Sequence, residues 1–291
     1  MRLLVTGGTG QLGRDLVIAA ARAGITAVRA LSSAELDITD AAAVADAVAA
    51  LAGGTRLVVI NAAAYTAVDL AEGEGAARAH VVNTDGPAYL ARSCLAHGAH
   101  LVQISTDYVF AGDRVGPYQV DDPTSPRTIY GRTKLAGERA VLTSGASAHV
   151  VRTAWLYGAH GANFVRTMAR LAQAPGPVRV VDDQHGNPTW TADLATALIA
   201  LTLAADQVPP GVLHCVNAGS ATWFDLARAV FTEVGADPAR VHPCSTAEFP
   251  RPASRPLNSV LDTTAWVAAG LPAPRPWRDA LTTAFTDGLA P

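Results

Sequence analysis

Thr6-Gly7-Gly8-Thr9-Gly10-Gln11-Leu12-Gly13 decides how the rest of this 291-residue chain is read. It follows the short apolar run Leu3-Leu4-Val5, which reads as a buried strand, and opens a helical stretch reaching Ala23. Its glycines at 7, 10 and 13 give G-x-x-G-x-x-G, a variant of the dinucleotide fingerprint. Such a site needs one glycine for a tight turn and one to let backbone N–H groups reach a pyrophosphate. A third lets the helix pack close on the strand. The helix N-terminus then offers unsatisfied donors and partial positive charge to an anion. Many strand–helix turns hold two glycines, but this one follows an apolar strand directly, which favours the nucleotide reading.

Outward from that turn, apolar runs alternate with alanine-rich segments of helical period. Strands are expected at 27–30, 57–60, 101–104, 150–151 and 178–181, with helices around 41–50, 81–97, 130–142 and 163–172. Near-continuous apolar strands separated by helices predict an α/β fold, a Rossmann-type doubly wound parallel sheet covered on both faces. After Trp155 the rhythm loosens, and Phe249 to Trp277 is punctuated by prolines with little room for long elements. The expected division is an NAD(P)-binding domain over 1–155, with contributions from 178–216. A smaller, mixed C-terminal substrate lobe, interleaved with it, takes most of 156–291.

Composition narrows the function. Apolar residues make up 49% and charged residues 16%, so disorder is excluded as the main state. A net charge of -3 supplies no electrostatic footprint for nucleic acid. Cys94, Cys215 and Cys244 are far apart with no C-x-x-C spacing, which points away from zinc or a disulfide framework and toward the cytoplasm. No signal-peptide pattern or membrane-spanning apolar stretch is read, so no membrane is expected. Of 22 basic residues a single one is lysine, Lys134, which hints at a position where guanidinium cannot replace ammonium.

That lysine sits in Tyr130-Gly131-Arg132-Thr133-Lys134, expected to begin a helix after Pro126. Four residues apart places both side chains on one face. An ammonium near the phenol is expected to lower its pKa toward the working range of a general acid or base. Ser105 and Thr106 end a predicted strand, the edge where open α/β sheets place ligands, and a hydroxyl there can bond a substrate carbonyl oxygen. After the second strand, Arg29-Ala30-Leu31-Ser32-Ser33 lacks the acid that grips a ribose 2′-hydroxyl. Arg29 either accepts a 2′-phosphate or is a solvated loop arginine. Asp37 either accepts from an adenine amino group or caps the helix starting near Asp40. Arg251 and Arg255 either grip a diphosphate or are surface charges. Of eight scattered histidines, His185 alone lies near a pocket motif.

Together these elements resemble the extended short-chain dehydrogenase/reductases, and within them the dTDP-4-dehydrorhamnose reductase family. The likeness runs nearly end to end, through 36–40, Asn61 to Asp69, Ser105 to Phe110, Tyr130 to Glu138, Val151 to Gly158, Asn163 to Val165 and Asp183 to Thr189. It implies reduction of the 4-keto group of a dTDP-4-keto-6-deoxysugar by NADPH, with NADH as an alternative. The product, dTDP-L-rhamnose or a related deoxysugar, would feed cell-wall polysaccharide or antibiotic synthesis. By the resemblance Tyr130 is the proton donor, Lys134 its partner and ribose ligand, and Thr106 the hydroxyl on the ketone. Gly7 and Gly13 frame the loop in which Thr9, Gly10, Gln11 and Leu12 wrap the pyrophosphate. Asp37 and Ile38 meet the adenine, and Ala62, Ala63 and Ala64 the cofactor ribose. Thr66, Val68, Asp107, Tyr108 and Trp155 line the sugar pocket.

Two departures stand out: Ala111 replaces an acid of the pattern, and Pro117-Tyr118-Gln119-Val120 replaces Pro-Tyr-x-Glu. Some relatives bind magnesium at a dimer interface. Asp15 matches one such position, but Ala192 falls where another carboxylate sits, which counts against a metal. A monomer or homodimer is expected. Two rival readings are another nucleotide-sugar epimerase or dehydratase and a non-catalytic NADP-binding regulatory subunit. Tyr108 stands where dehydratases carry glutamate, and the complete Thr106–Tyr130–Lys134 set argues for catalysis.

Overall fold

The computed structural model describes residues 1–289. Six strands form one parallel sheet: β1 (Arg2–Thr6), β2 (Val28–Leu31), β3 (Leu57–Asn61), β4 (His100–Thr106), β5 (Ala148–Thr153) and β6 (Gly211–His214). Their spatial order is β6-β5-β4-β3-β1-β2. Leu3 lies opposite Val28 on one side and Val58 on the other, and Thr106 opposite Thr153. The order reverses between β1 and β3, so connections leave to opposite faces there and open a crevice at the strands' C-terminal ends.

Alternation along β1 sorts its side chains. Leu3 and Val5 join a core with Leu16 of α1 (Gln11–Arg22), while Leu4 faces Val44 of α2 (Ala41–Ala49) and Leu90 of α3 (Gly86–His97). Every residue of β3, β4 and β5 is buried, as two covered faces require. The expected helix over 81–97 opens instead as a π-helical turn, Val81–Asp85, ahead of α3. Pro87 lacks the N–H that would bond the Asn83 carbonyl, so the regular ladder cannot run through it.

Two further elements depart from expectation. Val178–Val181 is a strand, but it pairs with Val241–Cys244 in a separate two-stranded sheet. The sixth place in the main sheet goes to β6, whose four residues follow Pro209-Pro210. Beyond α4 (Ile129–Leu142) and α5 (Phe164–Gln173), α6 (Thr191–Ala204) lies against α1 on the same sheet face as Leu3. The C-terminal lobe has its own core, in which Val165 and Met168 of α5 meet Phe231 of α7 (Trp223–Glu233). The proline-rich stretch holds one short helix, Thr264–Ala268, and is stitched to the body by isolated contacts. Tyr118 N–H donates to Val260 O at 2.7 Å, and His185 N–H to Leu257 O at 2.8 Å.

All three cysteines are buried free thiols. Among the described residues no helix is long and apolar enough to cross a membrane, and no three His, Cys, Asp or Glu gather for a metal.

Candidate active site

The crevice at the β1/β3 reversal deepens into a cleft of about 970 Å³. Its rim shows why glycine is needed. A Cβ on Gly7, whose φ is +68°, would meet the Ala63 backbone nitrogen at 2.8 Å, and one on Gly13 would strike the Gly7 carbonyl oxygen. The turn after β1 therefore presses on the segment after β3, and α1 presses on the turn. Helix α1 has no side-chain cap at Gly10, so its first-turn N–H groups are left for another acceptor beside the cleft-lining Gly10, Gln11 and Leu12. An uncapped helix start beside a glycine cradle fits the diphosphate of a dinucleotide. Opposite, Ala62, Ala63 and Ala64 line the cleft on a backbone fixed from below. Thr6 Oγ1 donates to Asn61 Oδ1 at 2.5 Å, Asn61 Nδ2 to Gln103 Oε1 at 2.7 Å, and Ala63 N to Asn61 Oδ1 at 3.2 Å.

At the cleft floor, β4 delivers Thr106 and α4 delivers Tyr130 and Lys134. Thr128 caps α4, its hydroxyl accepting from Gly131 N at 3.0 Å, which sets Tyr130 in the first turn. All three side chains are buried and line one cleft. Lys134 Nζ donates to Ile104 O at 2.7 Å rather than to the phenol. Burial pushes the Tyr130 phenol up to about 12, opposed by the nearby Thr106 hydroxyl. The expected lowering by the ammonium is thus reversed, because the lysine is turned to a carbonyl and desolvation dominates. A phenol held neutral suits a proton donor. Burial also draws Lys134 down to about 8, opposed by Glu138 one turn along. Burial pushes Asp107 up to about 6, opposed by the nearby Ser259 hydroxyl and by Thr106, which donates to Oδ1 at 2.8 Å. Three buried side-chain oxygens in the cleft wall have no partner: Ser105 Oγ, Asp107 Oδ2 and Thr153 Oγ1. Unpaired buried oxygens in a cleft mark where ligand hydrogen bonds go.

Thr66, Val68, Tyr108 and Trp155 line the same cleft. Trp155 is the one non-glycine among the described residues with positive φ, +47°. Its indole stacks on Trp223 at 3.6 Å between ring centroids and 7° between planes. Gly186 makes room for it, since a Cβ there would lie 2.5 Å from the indole Nε1. Arg251 and Arg255 reach the cleft from the proline-rich strap. Arg255 Nη2 donates to Asp69 Oδ2 at 2.8 Å, and Arg251 Nη1 lies 3.9 Å from the same oxygen. Arg255 is thus held by an ion pair, while Arg251 is exposed at the cleft rim.

Arg29, Asp37 and Ile38 lie outside the cleft wall. Arg29 is exposed on β2, and Ile38 is buried in the core with Leu4. Asp37 accepts from Thr39 N at 2.9 Å, and the cap of α2 is Asp40, accepting from Ala42 N and Ala43 N. Thr9 is exposed, and His185 is exposed and does not line the cleft. Sequence reasoning missed Asn61 as the organiser of the alanine segment, and Trp223, Phe164 and Phe249 in the far wall. The repeated tryptophans after residue 155 were the one available signal for that wall.

Comparison with known proteins agrees with this geometry. The family model described as the RmlD substrate binding domain matches residues 1–289. A dTDP-4-dehydrorhamnose reductase of Streptomyces griseus is 54% identical over 98% of this chain and 93% of its own. One from Mycolicibacterium smegmatis is 52% identical over 100% of this chain and 89% of its own. The crystal structure of a Bacillus anthracis dTDP-4-dehydrorhamnose reductase in complex with NADP superimposes with a TM-score of 0.92. It is 35% identical and covers 98% of this chain and 99% of that one. This chain belongs to the dTDP-4-dehydrorhamnose reductase family.

Proposed function

We propose that this protein reduces the 4-keto group of a dTDP-4-keto-6-deoxysugar with NADPH, NADH being the alternative donor. The observation that carries the reading is a neutral, buried Tyr130 phenol lining, with Thr106 and Lys134, the cleft that the glycine loop enters. NADPH, when bound, supplies the hydride. Tyr130 gives its proton to the oxygen as charge develops there, and Thr106 donates a second hydrogen bond to that oxygen. Lys134, still largely protonated at neutral pH, stabilises the phenolate left behind and reaches the cofactor ribose.

In this reading Gly7, Thr9, Gly10, Gln11, Leu12 and Gly13 surround the pyrophosphate, and Ala62, Ala63 and Ala64 the ribose. Asp37 and Ile38 sit at the adenine, and Arg29 at a 2′-phosphate. Thr66, Val68, Asp107, Tyr108 and Trp155 face the sugar. Residues 1–155, with parts of 178–216, hold the cofactor and most of 156–291 the sugar nucleotide. The enzyme acts in the cytoplasm as a monomer or homodimer. A dehydratase needs an acid beside Asp107, where this chain has Tyr108 with its phenol raised by burial.

Absorbance loss at 340 nm, with NADPH and a dTDP-4-keto-6-deoxysugar, tests the reading. Stoichiometric oxidation supports it. Elimination of water without NADPH consumption would favour a dehydratase, and cofactor binding without turnover a regulatory subunit.

A further inference from the structure

Thr106 carries one hydroxyl proton and two lone pairs. Its Oγ1 donates to Asp107 Oδ1 at 2.8 Å and accepts from Tyr108 N at 3.3 Å. The Thr106 proton is committed to the carboxylate, so the hydrogen that a ketone oxygen would receive from this residue is already engaged.

Taking that hydrogen has a cost. It strips an ionised carboxylate of a donor where Asp107 is 3% exposed and Oδ2 already has no partner. Leaving a buried charged acceptor unpaired forfeits the hydration it gave up on burial with nothing in return. A protonated Asp107 removes the conflict. It donates to the Thr106 lone pair that Tyr108 N leaves free, and the hydroxyl can turn to the ketone.

We propose that substrate binding draws one proton from solvent onto Asp107, whose neutral carboxyl then turns the Thr106 hydroxyl toward the sugar carbonyl oxygen. This rests on the ketoreductase reading above. Asp107 is a positioning residue acting through Thr106, and its proton returns to solvent when product leaves. The reduction itself stays balanced, one hydride from the cofactor and one proton from Tyr130.

The surroundings favour such a carboxyl. Tyr130 and Lys134 face it from α4, Tyr108 from its own turn and Ser259 from the strap, while Arg255 and Asp69 act on the neighbouring Tyr108. The hydroxyls and backbone N–H groups around it favour the ionised form, and burial, the larger influence, favours the neutral one. A buried acid kept neutral so that it can donate is an established catalytic device. The required form is the protonated one, so kcat/KM is full below the carboxyl pKa and falls above it.

The test combines a pH profile with a proton count. Between pH 5.5 and 8.5 the unaltered enzyme should lose kcat/KM by up to ~10-fold per pH unit on its alkaline limb, since binding must capture a proton of falling activity. Calorimetry of the keto sugar binding to NADP+-loaded enzyme, in buffers of different ionisation enthalpy at pH 7.5, should show uptake of nearly one proton. In Asp107→Asn the amide donates to Thr106 at every pH, so uptake vanishes and the limb flattens. At pH 5, below the carboxyl pKa of about 6, binding to the parent should take up little or no proton, and this comparison decides the matter if Asp107→Asn does not fold. Equal proton uptake and equal profiles in the parent and Asp107→Asn would overturn the proposal, as would equal uptake by the parent at pH 5 and pH 7.5. Failure of the parent to oxidise NADPH with the keto sugar at any pH would overturn the ketoreductase reading along with it.

Discussion

Gly186→Ala is the smallest change that should reach the sugar wall. Gly186 has an ordinary backbone conformation, so alanine brings no φ penalty, only a methyl group. That methyl would lie 2.5 Å from Trp155 Nε1 and 2.6 Å from Cζ2. Optimal carbon contacts are about 3.5–4.0 Å, so the indole must retreat by about 1 Å. It has little freedom to do so, being stacked at 3.6 Å on Trp223 and fixed to a backbone at φ +47°. Overpacking of this kind costs about 1–3 kcal/mol. A chain of 291 residues has an unfolding entropy of roughly 0.6 kcal/mol per kelvin, so Tm should fall by about 2–5 °C. Misplacing a substrate-facing group by about 1 Å can cost ~10²-fold in rate, and kcat/KM for the keto sugar should drop by one to two orders of magnitude. Calorimetric Tm and steady-state kinetics, in the parent and in a Trp155→Ala background, isolate the contact. With the indole gone the added methyl has nothing to strike, so Gly186→Ala should then cost almost nothing. An equal Tm loss in both backgrounds, or an unchanged kcat/KM in the single variant, would refute the role given to Gly186 and Trp155.

Tyr130→Phe should keep fold and NADP affinity while lowering turnover by about 10²- to 10⁴-fold, and near-normal turnover would remove Tyr130 from the mechanism. Lys134→Arg should lower kcat/KM by at least ~10-fold, because a planar guanidinium must replace an ammonium that is 5% exposed and 2.7 Å from Ile104 O; a change within about twofold would contradict this. Arg29→Ala should weaken NADPH selectively, and equal loss of kcat/KM with NADH would show that Arg29 does not read the 2′-phosphate. Burial draws His100 and His214 down to about 4, so the unfolded chain binds protons that the native state refuses below about pH 6.5. Stability should therefore be complete above pH 6.5 and fall toward pH 4 by at most about 3 kcal/mol per histidine, and urea midpoints independent of pH over that range would exclude it.

The cofactor half was legible because its signals are local. Gly7, Gly10 and Gly13 answer to contacts within a few residues or with the adjacent strand, and period alone marked β1, β3, β4 and α4. Where the reading failed, sequence-distant partners decided. Val178–Val181 is apolar enough for a central strand, but its partner is Val241–Cys244, some 60 residues on. Strand β6 has only Val212 and Leu213 as apolar residues and was hidden behind two prolines. The Asp69 pairing with Arg255 spans 186 positions, and no short-range rule could show that two strap arginines share one carboxylate.

The clearest limit lies at Thr106. Sequence alone marks a hydroxyl at a strand end beside a tyrosine–lysine pair, and every one of those residues lines the cleft. What it cannot mark is which acceptor holds the single hydroxyl proton, because that depends on Asp107 being sealed from solvent by Ser259 and the strap. The same sealing explains why the lysine does not lower the phenol here. In a wet site an ammonium at helical spacing would dominate. In this one Lys134 satisfies itself on Ile104 O, and desolvation sets the charge state of Tyr130, Asp107 and Lys134 alike. Residue types chose the chemistry, and burial contributed by segments more than a hundred residues away sets its protonation states.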